Sequence, residues 1–339
     1  MTSFTVPKVL VTGGEQKYLA HFKPEWHGFR KAKVLELDLQ SGAVSVPVEY
    51  ESPKDVTPDA DASHLFKSGT IYDHELWVCT NTEVMAYDVR DYSRIAYLTH
   101  PAFNDLHDVQ ISTRDTILVV NTGLDAVMEF DRSGVLLNEW GVLGGSIWER
   151  FSRNNDYRKW PTTKPHRAHP NKVFEIGKEI YATRFEQCDA VCLVSPDKRF
   201  RFGKDHPHDG HIVNEKIYFT TINGCVLVYN HRGTLVERLE LTTYHGDENL
   251  DVALGWCRGL YVLEDRYLIV GFTRLRPSKF REQVRWVKHI LGKSLTKGSR
   301  ATRVAIYDMQ AGCKVTEYDL EAYGLNAVFA ILPKPSVPV

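Results

Sequence analysis

A short pattern recurs along this chain and constrains its fold more than any other feature. In each copy, an apolar segment of strand-like composition ends in Asp or Asn, and Gly usually follows within a few residues. These are turn residues, because the Asp or Asn side chain bonds nearby backbone and Gly accepts a positive φ. The copies end at Asp38, Asp88, Asp131, Asn230 and Asp308, with a degenerate sixth copy at 193–197. Such a repeat predicts an array of similar structural units.

Further strand-like segments surround each turn. A second apolar segment precedes the marked one, as at 116–120, 179–183, 216–220 and 267–271, another lies earlier, and one follows the turn, as at 134–140. Four short antiparallel strands in roughly 40–45 residues are typical of a propeller blade. We therefore predict an all-β fold, a single closed β-propeller domain of about six blades spanning 1–339. Segment 326–332 is expected to pair with the first blade and remove its exposed edge.

Two intervals between the turns are long and predict insertions at about 141–165 and 277–300. The first contains Trp148, Tyr157 and Trp160. One interpretation is a lid over the channel, in which the tryptophans bind substrate by stacking and Tyr157 moves a proton. The alternative is a small hydrophobic cluster that covers one blade.

The second insertion contains apolar residues at helical spacing, which predicts an amphipathic helix at 278–291 in the last blade. From Arg274 to Arg300 the chain has nine Lys and Arg residues and one acid, Glu282. The helix is interpreted either as a contact for an anionic partner or membrane surface, or as a helix packed on the propeller with a solvated basic face.

The blades resemble the NHL-type and gluconolactonase-like group of six-bladed propellers. The segment from Cys257-Arg258-Gly259-Leu260 to Gly271–Arg276 also resembles bacterial propeller proteins of unassigned function. Such families include hydrolases, lyases, oxygenases and binding modules, so the resemblance implies a fold and leaves the function open.

Histidines recur where the innermost strands are predicted to begin. His107 lies ten residues before Ile117, His208 nine before Ile217, and His169 eleven before Ile180. Innermost strands of a propeller all start on one face, so these side chains should converge on the central axis. Imidazoles from separate strands can bind one ion, and we predict His107, His169 and His208 as ligands of Fe, Mn, Zn or Cu. The alternative is that they cap strand ends and bind water.

Other residues near these positions complete the predicted site. His211 and His245 are expected to act in catalysis, and His64 is an additional candidate on a comparable loop. Cys257 falls on the aligned position, either as a thiolate ligand or as a small buried residue. Asp108 and Asp209 are expected to orient the imidazoles. Arg258 is expected to hold a substrate carboxylate or phosphate, or else to pair with one of those aspartates.

The predicted function is that of a metal-dependent enzyme acting on a small polar or carbohydrate-like molecule at the mouth of the channel. Lyase or hydrolase chemistry is preferred to that of an oxygenase, and a non-catalytic binding propeller is the alternative of a different class. The net charge of −1 gives no support for nucleic-acid binding. Six scattered cysteines and the absence of a secretory signal or an apolar membrane span predict a cytoplasmic protein.

Overall fold

The structure is a computed structural model and describes residues 8–17, 28–60, 62–246, 253–275 and 300–335. The strands of these residues form six four-stranded antiparallel sheets. Strands are numbered in chain order, and each blade is given from its innermost strand outward. Blade 1 contains β24 (Ala327–Pro333), β1 (Lys8–Gln16), β2 (Phe29–Asp38) and β3 (Val44–Tyr50). Blade 2 contains β4 (Gly69–Tyr72), β5 (Glu75–Cys79), β6 (Val84–Asp88) and β7 (Arg94–Leu98).

The other four blades follow the same order without a crossover. Blade 3 contains β8 (Leu106–Ile111), β9 (Ile117–Asn121), β10 (Ala126–Phe130) and β11 (Leu136–Gly141). Blade 4 contains β12 (Pro170–Ile176), β13 (Glu179–Arg184), β14 (Asp189–Cys192) and β15 (Arg199–Arg201). Blade 5 contains β16 (His211–Val213), β17 (Lys216–Thr220), β18 (Cys225–Asn230) and β19 (Leu235–Glu240). Blade 6 contains β20 (Trp256–Leu263), β21 (Tyr267–Thr273), β22 (Arg303–Asp308) and β23 (Cys313–Asp319).

The predicted six-bladed propeller is confirmed, and the Asp or Asn turns end or follow the third strand of each blade. Helical structure among the described residues is confined to short 3-10 turns at Lys54–Val56, Thr122–Leu124, Ile147–Glu149, Tyr157–Lys159, Leu241–His245 and Glu321–Tyr323. The predicted basic helix at 278–291 lies outside the described residues. Within the ranges given above, no helix has the length and apolar character needed to cross a bilayer.

Ring closure joins the two ends of the described chain. Strand β24 pairs antiparallel with β1, from Val9 opposite Pro333 to Gly14 opposite Ala327, as the sequence predicted. Glu36 on β2 reinforces this closure, because its carboxylate accepts hydrogen bonds from Lys8, Lys334 and Tyr92. Burial by itself raises the pKa of Glu36, but these three hydrogen bonds lower it to about 2.

Apolar side chains between adjacent blades form the core. One cluster packs strands of blades 2 and 3 around Trp77, Phe103 and Phe130, and another packs blades 5 and 6 around Tyr218 and Phe272. Each sheet therefore buries both faces against its neighbours, while the innermost strands border the central channel. This arrangement leaves the first residues of the innermost strands to form the channel mouth.

Candidate functional site

The innermost strands are irregular where they begin. The pairing of β8 with β9 shifts between Leu106 and Asp108, and that of β20 with β21 shifts between Cys257 and Leu260. A β-bulge places two residues opposite one and changes the direction of the side chains beside it. The bulges therefore influence which residue of each neighbouring pair, His107-Asp108 on β8 and Cys257-Arg258 on β20, faces the channel.

A small cavity lies at this end of the channel, and we call it the mouth cavity. Its walls come from the starts of the innermost strands and from the loops before them. It is lined by Leu65, Lys67, Asn81, Asp105, His107, Lys164, His169, Arg258 and Phe329. Three cationic side chains and one carboxylate thus share a small space with two imidazoles.

The three aligned histidines are brought together, as the sequence predicted. The ring centroids of His107 and His169 are 4.9 Å apart, and those of His107 and His208 are 6.2 Å apart. His107 and His169 line the mouth cavity, whereas His208 is buried behind it against Phe329 and Asp209. Convergence of three blades on one axis therefore follows from the repeat.

His107 has polar neighbours at both ring nitrogens. Its Nδ1 lies 2.7 Å from Asn171 Oδ1, and the Asn171 amide nitrogen donates to the carbonyl of Pro207, so the oxygen must face the histidine. Nδ1 of His107 is therefore the donor, and the lone pair of the neutral ring is on Nε2, which lies 3.5 Å from Asp105 Oδ1. Burial and then the nearby Lys67 ammonium lower the pKa of His107 to about 3.

Asp105 provides the negative charge of the mouth cavity. Its carboxylate accepts a hydrogen bond from Lys67 and lies near Nε2 of both His107 and His166. Burial raises the pKa of Asp105, but Lys67 and the imidazoles overcome this and leave it well below its usual value. Its backbone is left-handed, with φ of 50°.

His169 also has a left-handed backbone, with φ of 52°. Asp125 holds this conformation, because its Oδ1 accepts from the backbone N–H of Ala168 and of His169, both at 2.9 Å, and its Oδ2 accepts from that of Arg167 at 2.8 Å. Burial, followed by the neighbouring imidazoles, lowers the pKa of His169 well below its usual value. Both histidines of the mouth cavity are therefore neutral near pH 7.

Arg258 and Cys257 lie on opposite sides of their strand. The Arg258 guanidinium carbon is 4.8 Å from the centre of the Phe329 ring in the mouth cavity. Cys257 is fully buried in the core between blades 5 and 6, and burial raises the pKa of its thiol well above the usual value. Of the two interpretations of Cys257, the structure favours the small buried residue. Neighbouring side chains of a strand point to opposite faces, and the sequence alignment did not show which of these two faces the channel.

The two aspartates beside the histidines differ in their contacts. Asp209 Oδ1 lies 3.5 Å from His208 Nδ1, while its Oδ2 accepts from Thr220 Oγ1 and from the Gly259 backbone N–H. Asp108 instead forms a buried ion pair with Lys172, at 2.9 Å. The expectation that an aspartate orients an imidazole therefore fits Asp209 and does not fit Asp108, whose strand turns it toward Lys172.

The remaining predicted residues lie apart from the mouth cavity. His211 lines a different cavity, formed by later residues of the innermost strands at the other end of the channel. His245 is bonded through Nε2 to the hydroxyl of Tyr307 on the third strand of blade 6. His64 Nδ1 accepts the backbone N–H of Ser52. Loop position alone did not determine these side-chain directions.

The first insertion packs mainly as the hydrophobic cluster of the second interpretation given to it. Tyr157 is buried in the core of blades 2 and 3, and its hydroxyl accepts the backbone N–H of Ser152. Trp148 packs against the same core and donates to Glu139. Trp160 is 45% exposed and lines a shallow cavity that shares Asn81 and Asp105 with the mouth cavity. Only the end of the insertion, from Trp160 to Lys164, borders the site.

Several residues of the mouth cavity were missed by sequence reasoning. Lys67 precedes β4 and Phe329 lies on β24, so both occupy the aligned starts of innermost strands in blades that lack the histidine. The alignment could have identified Lys67, which lies nine residues before Leu76, but not Phe329, because the second strand of its blade is β1 at the other end of the sequence. Asp105 and Asp125 carried no such signal, since their roles depend on left-handed turns.

The donor arrangement does not form a metal centre in the described residues. No group of three or more His, Cys, Asp or Glu side chains there is placed to hold a metal ion. The Lys67 ammonium bonds Asp105, which is the carboxylate nearest to His107. The predicted set of His107, His169 and His208 is close together but does not present three nitrogens to one point.

No protein-family model matches the chain, and no curated protein matches its sequence. Similar folds occur among solved structures. A protein of unknown function from Bacteroides caccae has 14% identity over 96% of this chain and 98% of its own, with a TM-score of 0.59. A chain of a nidogen/laminin complex has 8% identity over 96% and 97%, with a TM-score of 0.56. A streptogramin B lyase has 10% identity over 97% and 93%, with a TM-score of 0.49. At these identities the first two likenesses show the propeller fold alone.

Proposed function

We propose that this protein is an enzyme that binds a small anionic polar molecule in the mouth cavity and transfers a proton with one of its histidines. The observation that carries the proposal is the convergence of Lys67, Lys164 and Arg258 with His107 and His169 around the mouth cavity. A carboxylate- or phosphate-bearing molecule, such as a sugar acid, suits this combination of charges.

Charge in the mouth cavity favours an anion. Lys67, Lys164 and Arg258 contribute three positive charges and Asp105 one negative charge, while His107 and the neighbouring His169 are neutral near pH 7 because burial lowers their pKa values. Phe329 and Leu65 supply an apolar wall. In a partly desolvated space of this kind, a charged hydrogen bond contributes more than it does in open water.

Proton transfer suits the same residues. Removal of a proton from a carbon next to a carboxylate requires an unprotonated base and a cation near the oxygen where negative charge develops. A neutral imidazole supplies the base, and Lys67 or Arg258 supplies the cation. The reaction class is therefore that of a lyase, or of a hydrolase in which the imidazole activates water.

The binding step is tested by isothermal titration with a panel of uronates, aldonates and sugar phosphates. We expect at least one to bind in the wild-type protein and to lose affinity by at least tenfold in Arg258→Gln. His231→Gln is the matched control, because His231 is exposed on a turn at the outer part of blade 5. Absence of binding by every anion, or equal binding by Arg258→Gln, would refute the anionic substrate class.

The chemical step is tested by incubating each bound anion with the protein in D₂O and following its α-hydrogen by proton NMR. An enzyme of the proposed class exchanges that hydrogen or eliminates, whereas a binding propeller leaves the ligand unchanged. The metal dependence predicted from the histidines is tested in parallel by elemental analysis of the purified protein. Stoichiometric metal that is lost in a His107→Ala/His208→Ala variant would support a metal-dependent enzyme. Exchange activity that persists in metal-free protein would exclude one.

A further inference from the structure

Two histidines at the edge of the mouth cavity are bonded directly to each other. Nδ1 of His166 lies 3.0 Å from Nδ1 of His169, and the ring centroids are 5.1 Å apart. A hydrogen bond between two imidazole nitrogens requires that one carry a hydrogen and the other a lone pair. The direction of this bond therefore fixes the tautomer of each ring.

Contacts at the other nitrogen of His166 determine that direction. Thr163 Oγ1 donates its only hydrogen to the Gly123 carbonyl at 2.6 Å, so its oxygen acts as an acceptor toward His166 Nε2 at 3.4 Å. An Asp105 carboxylate oxygen lies 3.9 Å from the same nitrogen. Two acceptors beside Nε2 place the hydrogen of neutral His166 there.

The tautomer of His169 follows from that of His166. With its hydrogen on Nε2, the neutral His166 ring presents a lone pair at Nδ1, so His169 must donate from its own Nδ1. A neutral His169 then carries its lone pair on Nε2. The backbone bonds to Asp125 hold the ring in this relation, because they fix the left-handed conformation of His169.

The other histidine of the mouth cavity is placed differently. Nε2 of His107 also carries a lone pair, but it lies 3.5 Å from the Asp105 carboxylate, which Lys67 bonds. An anionic substrate is repelled from the side of the ring that Asp105 occupies. His169 has no such carboxylate within ion-pair distance in the described residues.

We infer that His166 is a positioning residue that holds His169 as its Nδ1–H tautomer, so that Nε2 of His169 is the base that takes a proton from the bound anion. Only the proton transfer to Nε2 rests on the proposed function, whereas the tautomer of His169 does not depend on it. The proton passes from the substrate to Nε2, and the electron pair of the broken bond stays on the substrate. The Nδ1–H of His169 continues to donate to His166 throughout the step.

The tautomer is measured without knowledge of the substrate, by two-bond proton–nitrogen NMR of the full-length protein labelled with ¹⁵N-histidine. The His169 signals are assigned by their loss in His169→Gln. We expect one tautomer in the wild-type protein, with the pyrrole-type nitrogen at Nδ1 and the pyridine-type nitrogen at Nε2. A His169 signal with its hydrogen on Nε2 would overturn the inference.

Two variants separate a positioning role from a structural one. His166→Ala removes the acceptor, so His169 should lose its single tautomer. His166→Gln can restore an acceptor through its side-chain oxygen and should recover the Nδ1–H form. His231→Ala on the outer turn is the control and should leave the His169 signals unchanged. An unchanged tautomer in folded His166→Ala, verified by circular dichroism, would also overturn the inference.

Failure of the proposed function has a different signature. If no anion binds in the titration, the proposed function is wrong, while the tautomer result stands on its own. If an anion binds and exchanges its α-hydrogen, His169→Gln should abolish the exchange and His166→Ala should slow it by at least tenfold with little change in affinity. Exchange that continues in His169→Gln would overturn the assignment of the base and leave the anion site intact.

Discussion

Replacement of Asp125 by Ala is expected to destabilise the protein strongly, although Asp125 does not line the mouth cavity. Its carboxylate is 3% exposed and accepts three backbone N–H groups, from Arg167, Ala168 and His169, and one hydrogen bond from Arg150 at 2.6 Å. Hydrogen bonds to charged groups contribute about 1.5–3 kcal/mol each, and a buried donor left without its acceptor costs about 1–3 kcal/mol.

The four bonds share one carboxylate, so their contributions do not add. Ala168 is fully buried, and its N–H would lose its acceptor without gaining water. Arg150 is 27% exposed at its side chain and can turn toward solvent. We therefore expect Asp125→Ala to lower the free energy of unfolding by about 3–5 kcal/mol, as for the loss of one partner from a buried charged contact.

The assay is equilibrium unfolding in urea, with reversibility established by refolding. Asp131→Ala is the matched control, because Asp131 also accepts backbone N–H groups in a turn, from Ser133 and Val135, but does so in contact with solvent. Its loss should cost much less than that of Asp125. A change below about 1 kcal/mol for Asp125→Ala, or one no larger than that of the control, would refute the reasoning from buried donors.

Three further predictions concern residues away from the His166–His169 pair. Lys172→Met should lower the free energy of unfolding by about 3–5 kcal/mol, because it leaves Asp108 buried without its ion partner. Urea titrations measure this loss, and the double variant Asp108→Asn/Lys172→Met should recover most of it. Cys257→Ala should cost about 1 kcal/mol and leave anion affinity and metal content unchanged, since the thiol faces the core; a loss of bound metal would contradict this. Glu36 has a pKa of about 2, below its usual value of 4.5, so its contribution to stability is present above pH 4.5 and is lost as the pH falls toward 2. In thermal unfolding, Glu36→Gln should be less stable than the wild type at neutral pH, and the difference should shrink across that range.

Local patterns were sufficient to predict the fold. Turn residues such as Asp131 mark the same point in each blade, and apolar segments such as 116–120 predict the buried second strand. Closure by 326–332 was also predictable, because a strand-like segment without a blade of its own removes the exposed edge of the first blade. These features depend on composition and spacing within tens of residues, which a single sequence contains.

The membership of the site was predictable only in part. His107 and His169 were identified because the repeat places the starts of innermost strands on one face. His245 and Tyr157 were misplaced, because a loop position does not tell whether a side chain turns toward the axis or toward the core. His245 bonds Tyr307, and Tyr157 fills the core between two blades.

The sequence by itself determined that the chain forms a propeller and that histidines gather at one mouth of its channel. Only the tertiary structure decided that Arg258 faces the mouth cavity while Cys257 faces the core, because successive side chains of a strand alternate and the packing of β20 determines which face turns to the channel. It also decided the charge of the site, since Lys67 and Asp105 come from different blades and meet only when blades 2 and 3 pack together. Strand patterns are local, whereas side-chain direction and charge in the channel depend on contacts among all six blades.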